Sequence, residues 1–204
     1  MKEKLYNLIA DSGIWFLYKF FPEYFAKEPL RPTDRYYEYP WALKHIHRYT
    51  KPAMILDVGS AGSMFPLLAK SLNNNVFATD IRKMNYEGVT CLNHNICKTP
   101  FIDNLFDIVT AISTIEHIGL KGRYGAVSED SDEKAIKEIY RIIRPNGFLL
   151  MSVPYSRKAK ETKFHRIYSE ESISKILDGF KLEIDIVKSP EDEYWLALIK
   201  AIKR

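Results

Sequence analysis

Apolar and polar positions alternate in two textures along the chain. From Lys51 onward, short apolar runs are separated by amphipathic stretches, the pattern of βαβ units. Residues 53–58 are apolar except for Asp57 and read as a buried strand. Residues 65–72 are apolar at helical spacing. Strands follow over 76–79, over 89–92 and, after the turn signal Asp103-Asn104, over 106–112. Residues 130–143 place Ala135, Ile136, Ile139, Ile142 and Ile143 on one helical face. That helix is expected to stop at Arg144, because Pro145 disfavours helical geometry in the residue before it. Asn146-Gly147 then turns the chain into a strand over 148–153. A helix over 169–177 and strands over 182–187 and 195–202 complete the pattern. Seven strands result, and the short last connection predicts an antiparallel hairpin on a mostly parallel sheet.

The first fifty residues have another texture. Eleven aromatics crowd residues 15–41, from Trp15 and Phe16 to Tyr39 and Trp41, and Pro22, Pro29, Pro32 and Pro40 break the stretch into pieces. Helices are expected over 4–20 and 41–49. We read residues 1–50 as a helical cap on a main domain of 51–204, positioned to cover the site and shape its pocket. A dimer interface, or a peripheral membrane contact through Trp15, Phe16 and Phe20, are the other readings of this surface.

Composition narrows the class. At 204 residues, 46% hydrophobic and 27% charged, the chain is long enough for one packed α/β domain and too apolar for disorder. Its net charge of +4 is too small to argue for nucleic acid by itself. Cys91 and Cys97 match neither a zinc spacing nor a redox pair, so a reducing cytoplasm is expected and no metal is assigned. Asp11, Ser12 and Gly13 interrupt any signal-peptide core, and the run 14–21 holds Lys19 and is too short for a bilayer, which needs about 20 apolar residues. The acidic run 128–133 reads as the first turn of a helix, favoured by the helix dipole.

The chemistry concentrates where strands end. The strand over 53–58 carries Asp57 near its end and runs into Gly59-Ser60-Ala61-Gly62-Ser63 ahead of a helix. Small residues let backbone approach a ligand closely, and the ends of parallel strands are where such sheets bind ligands. A dinucleotide fingerprint would read Gly-x-Gly-x-x-Gly; here the spacing is Gly59-x-x-Gly62, and an acid two residues before the first glycine suits a cationic ligand. Asp80 ends the second strand, 23 residues after Asp57, where an acid can accept hydrogen bonds from ribose hydroxyls. Asn95 follows the third strand. The fourth leads through Ser113 to Glu116-His117, and Arg141 to Gly147 precedes the fifth.

These five elements, in this order, resemble the class I S-adenosylmethionine-dependent methyltransferases. Residues 57–63 look like motif I of that family, with Ala61 and Ser63 in place of its second and third glycines, and the segment 106–117 resembles the Phe-Asp-x-Val…Glu-His segment of small-molecule members. The resemblance implies a Rossmann-like, doubly wound, mostly parallel sheet and S-adenosyl-L-methionine as cofactor. It implies cofactor contacts from Asp57, Gly59, Ser60, Ala61, Gly62, Asp80, Ile81, Asn95, Ile96 and Ser113. Local readings stand beside these: Asp57 as a turn cap, Asp80 as a helix cap, Asn95 as a turn asparagine. Glu38 to Trp41 and His165 to Tyr168 resemble bacterial and archaeal methyltransferases thought to act on sugars or glycans.

A hydroxyl acceptor benefits from a general base. His117 is the first candidate, because a neutral imidazole suits pH 7, followed by Tyr124 and His165. Residues 155–168 hold Arg157, Lys158, Lys160, Lys163 and Arg166 at the end of the fifth strand, a cationic rim suited to an anionic acceptor. The expected activity is O-methylation of a small polar acceptor such as a sugar or nucleotide-linked glycan precursor. RNA, DNA or protein is the other acceptor class, and a module that binds S-adenosylmethionine without catalysis is the non-enzymatic alternative. Oligomeric state is left open.

Overall fold

In the computed structural model the described residues are 33–47, 52–120, 131–189 and 194–204. Strands β1 (Met54–Val58), β2 (Asn75–Thr79), β3 (Thr90–Leu92), β4 (Phe106–Ile112) and β5 (Ile143–Tyr155) pair in parallel in the order β3-β2-β1-β4-β5. Beyond β5 come the antiparallel strands β9 (Trp195–Lys203) and β8 (Phe180–Lys188), giving seven strands in one sheet. The expected sheet and closing hairpin are therefore present.

Side-chain alternation explains how the sheet is covered on two faces. Ile55, Ile108 and Leu150 pack with Ala42, Ile46 and Phe65 from helices α1 (Arg35–His47) and α2 (Phe65–Ser71). Their neighbours Leu56, Val109, Leu149 and Met151 pack on the opposite face with Ile136, Ile139 and Ile173 from α3 (Asp132–Ile142) and α4 (Glu170–Ile176). Each such side chain contributes roughly 1.5–3 kcal/mol on burial. Ser131 caps α3, its Oγ accepting the Lys134 N–H at 3.1 Å, and Asp132 and Glu133 occupy the first turn, where the dipole favours them.

Three details depart from the expected boundaries. Helix α1 starts at Arg35 rather than near 41 and runs through Pro40, which therefore does not break it. Proline removes one ladder bond there; burial of Glu38, Ala42 and Ile46 holds the helix across it. Helix α3 ends at Ile142, and β5 begins at once, with Asn146 in the left-handed region at φ +64°. The basic segment after β5 is not all loop: β6 (Lys160–Glu161) pairs with β7 (Arg166–Ile167). The helix expected over 4–20 and the aromatics of residues 15–25 lie outside the described residues. The compact unit that contains the sheet runs from Asp34 to Arg204.

Among the described residues no helix is long and apolar enough to cross a membrane, and no group of His, Cys, Asp or Glu is arranged to hold a metal ion.

Lys203 closes the far end of the sheet. Its ammonium donates to Asn104 Oδ1 at 2.9 Å and to the carbonyls of Tyr140 and Ile143 at 2.7 Å each, so one charge satisfies the end of α3. Lys203→Met keeps the stem and loses the donors. We expect it to cost about 2 kcal/mol of unfolding free energy in a urea titration. An unchanged midpoint would show that solvent replaces the ammonium without loss.

Candidate active site at the carboxyl ends of the strands

Connections leave β1 in one direction toward β2 and β3, and in the other toward β4 and β5. The crevice this reversal leaves at the carboxyl ends of β1 and β4 is the binding position of such sheets. Gly59 and Gly62 sit there at φ +76° and +84°. A Cβ at Gly59 would run into the Thr114 side chain, whereas at Gly62 it would meet nothing within 4 Å. The loop is therefore tightly seated on one side and open on the other, the form a ligand cradle requires. The Gly59 N–H donates to the Thr79 carbonyl at 2.9 Å, tying the loop to β2.

Asp57 is buried beneath this loop. Its Oδ1 accepts from Thr110 Oγ1 at 2.5 Å and its Oδ2 from Ser60 Oγ at 2.7 Å. Burial pushes its carboxyl up to about 6, the two hydroxyl bonds only partly opposing the shift. Asp80 is also buried, though less deeply, and is set the other way. Burial opposes its ionisation, yet hydrogen bonds from Arg82 and the Ala61 N–H outweigh that and hold it below the usual carboxylate range. Ile81, beside it, is 53% exposed, an apolar surface at the crevice. The sequence reading passed over Tyr86, whose hydroxyl donates to the Ser60 carbonyl at 2.6 Å and accepts the Gly62 N–H at 3.1 Å.

The third strand's loop is fastened locally. Asn95 Oδ1 accepts the Cys97 N–H at 2.9 Å, a turn contact, and Ile96 packs in the core. Thr79 Oγ1 donates to the His94 carbonyl at 3.1 Å, so this loop closes the crevice beside Asp80.

Beyond β4 the mouth is polar and partly built by α1. Ser113 has φ +43°, its N–H donates to Ser152 Oγ at 2.9 Å, and both serine hydroxyls donate to Glu38 Oε1 at 2.5 Å. Glu38 is fully buried and also pairs with Arg35, and Tyr39 Oη lies 3.1 Å from Ser63 Oγ. Among the described residues, Glu38 and Arg35 are the largest omission of the sequence reading, which singled out Glu38 only as part of a familiar segment. A carboxyl group in the first turn of an aromatic-rich helix gives no local signal of burial.

His117 ends a short 3-10 turn (Ile115–His117). Its Nδ1 is 2.6 Å from the Phe164 carbonyl oxygen, and its Nε2 is 3.6 Å from Glu116 Oε1. A carbonyl only accepts, so the hydrogen lies on Nδ1 and, in the neutral ring, the Nε2 lone pair is the basic one. His165 lies edge-on to His117 with ring centroids 6.4 Å apart, and Tyr194 follows at 6.0 Å from His165. The fold thus brings His117 and His165 together; Tyr124 lies outside the described residues. Arg157, Lys158, Lys160 and Lys163 are exposed. Arg166 is not part of that rim: it donates to Glu161 Oε2 at 2.9 Å and to the Ile118 carbonyl at 2.6 Å, stapling the β6–β7 hairpin to the turn after His117. Its guanidinium is committed inside the fold, which corrects its expected place among the acceptor-facing cations.

The comparisons with known proteins fit this geometry. The family model for a methyltransferase domain matches residues 56–151. An uncharacterised protein of Methanocaldococcus jannaschii is 26% identical over 171 residues, covering 76% of this chain and 73% of that one. In fold, the chain is similar to the Burkholderia thailandensis 1,6-didemethyltoxoflavin N1-methyltransferase, crystallised with that acceptor and S-adenosylhomocysteine, at TM-score 0.65 and 15% identity over 98% of this chain and 90% of that one. It is also similar to a Haemonchus contortus phosphoethanolamine N-methyltransferase bound to phosphomonomethylethanolamine and S-adenosylhomocysteine, at TM-score 0.65 and 16% identity over 95% of this chain and 57% of the other. Residues 56–151 thus match a methyltransferase domain, and together with the fold this likeness supports a class I S-adenosylmethionine-dependent methyltransferase. The matched span, residues 56–151, includes the glycine loop, Asp80 and His117.

Proposed function

We propose that this methyltransferase methylates a hydroxyl of a small anionic acceptor, a phosphorylated or nucleotide-linked sugar being the favoured class. The observation that carries this reading is His117, whose tautomer is fixed by the Phe164 carbonyl and which stands at the mouth beyond β4. S-adenosylmethionine, when bound, supplies a methyl group already activated by its sulfonium. The residues that would hold it are Asp57, the loop Gly59, Ser60, Ala61 and Gly62, Asp80 with Ile81, Asn95 with Ile96, and Ser113. The fit rests on the open side of Gly62, the two buried carboxylates and the exposed apolar side chain of Ile81.

The chain's own part is to bind, orient and move a proton. His117 Nε2 takes the hydroxyl proton, and Glu116, 3.6 Å away, stabilises the imidazolium that results. His165, edge-on to His117, borders the acceptor. Exposed Lys158, Lys160 and Lys163 favour a phosphate or diphosphate on it. The Haemonchus enzyme of similar fold binds an acceptor that carries a phosphate. Cys91 and Cys97 form no disulfide with each other, in keeping with a cytoplasmic setting.

The test begins with radiolabelled S-adenosylmethionine offered with sugar phosphates, nucleotide sugars, neutral sugars and RNA. Label on the phosphorylated or nucleotide-linked sugars is expected. Changing Lys158, Lys160 and Lys163 together to Ser should then raise KM for that acceptor about tenfold at low salt with kcat little changed, and the difference should shrink near 0.5 M salt, where the Debye length is only about 4 Å. Label on RNA or on neutral sugars alone would overturn the reading.

A further inference from the structure

The carboxylate assigned to the ribose is already saturated. A carboxylate offers about four acceptor positions. Asp80 Oδ1 accepts the Arg82 N–H at 2.8 Å and Arg82 Nε at 3.0 Å; Oδ2 accepts the Ala61 N–H at 2.9 Å and Arg82 Nη2 at 3.0 Å. Two of these donors are backbone and fixed by the loop. The other two belong to one guanidinium, which lies across the ends of β1 and β2 and also donates to the Ala61 carbonyl at 2.9 Å. Its side chain is 45% exposed, so it can swing into water without losing a buried environment.

We propose that Arg82 is a latch on the cofactor site, whose guanidinium the ribose hydroxyls of S-adenosylmethionine must displace from Asp80. The proposal rests on Asp80 being the ribose-binding acid. Displacement has two consequences. Ribose can hydrogen-bond to Asp80 only at the lone pairs that the guanidinium gives up, so the latch weakens binding of every ligand that carries this diol. Substrate and product carry the same ribose, so the latch weakens both alike, and its reclosure speeds departure of the spent nucleoside. Arg82 is in this sense a positioning residue for turnover: it keeps Asp80 ionised and oriented between cycles, and it limits how tightly the demethylated product is held. Its partner Ala61 lies in the glycine loop, so opening the latch also frees one face of that loop when the ligand arrives.

Calorimetry and stopped-flow dissociation with S-adenosylmethionine and S-adenosylhomocysteine test this directly, with circular dichroism melts to establish folding. Arg82→Ala is expected to tighten both ligands about 3- to 5-fold, the scale of a half-exposed ion pair, and to slow dissociation of both. Arg82→Gln, which keeps the stem and loses the fork, should act in the same direction and serves if the alanine variant folds poorly. In an Asp80→Asn background, where wild-type affinity is already weakened, Arg82→Ala should change nothing. Unchanged or weakened binding in both Arg82 variants overturns the latch. So does a tightening that persists without Asp80. If none of the proteins, wild type included, binds S-adenosylmethionine, the cofactor assignment itself falls and the latch with it.

Discussion

His117→Gln should lower methyl transfer to a hydroxyl acceptor by about 10²–10⁴-fold, the usual worth of a positioned general base. Glutamine keeps a group able to donate toward the Phe164 carbonyl, so the turn should stay seated while the basic nitrogen is lost. Affinity for S-adenosylmethionine should change by no more than about twofold, because the adenosine side proposed above rests on Asp80 and its loops and not on this ring. Loss confined to turnover identifies transition-state stabilisation. The wild-type rate should also fall as pH drops and the imidazole takes up a proton, and the variant should lack that limb. Parallel loss of cofactor affinity and turnover would show that the histidine only holds the turn. So would a wild-type pH limb that survives in the variant.

Asp57→Asn should stabilise the free protein and disable it. The buried carboxyl has been pushed from the ordinary 3.8 up to about 6. An acid whose folded value is raised binds its proton more tightly folded than unfolded, so stability falls as pH rises from about 4 to 6 and the full cost persists above that. Two pH units correspond to roughly 3 kcal/mol. Removing the charge should therefore raise unfolding free energy at pH 7.5 by about 1–3 kcal/mol, part of the gain being lost in rearranged bonds to Thr110 and Ser60. A cationic ligand reverses the balance, since it favours the ionised form. Wild-type affinity for S-adenosylmethionine should rise with pH up to about 6 and then level, with proton release on binding below that point. The asparagine variant should bind about 10- to 100-fold more weakly at pH 7.5, with no such slope. Urea titrations at pH 5 and 7.5, with calorimetry across the same range, decide it. A wild-type affinity that ignores pH, or a variant no more stable than wild type, would remove Asp57 from the cation's surroundings.

What the sequence reveals and what it hides follow one physical line. The strands are legible because both faces of the sheet are covered, so Ile55-Leu56 and Ile108-Val109 are both apolar though they point opposite ways. Helix α3 is legible because one stripe of isoleucines meets the core. The glycine loop is legible because backbone geometry at Gly59 forbids a side chain. Features that depend on distant partners are not. Glu38 is a surface residue by local pattern; its burial comes from hydroxyls 75 and 114 positions away. Arg166 reads as one more cation of a basic run until the Ile118 carbonyl, 48 positions away, is seen to hold it. Strands of two residues, such as β6 and β7, are too short to carry any periodicity.

The Glu38 contact has a consequence for exchanging parts among related enzymes. One carboxyl oxygen in α1 takes hydroxyl hydrogens from the ends of both β4 and β5. A chimera that replaced residues 34–47 with a helix lacking an acid at this position would leave the Ser113 and Ser152 hydroxyls without their shared acceptor, and the fully buried Ser152 donor would cost about 1–3 kcal/mol. Ser113 and Ser152 would have to travel with the helix, or be changed to alanine alongside it. The inheritable unit here is three residues spread over more than a hundred positions, and substrate-recognition segments grafted at the obvious boundary before β1 would separate them.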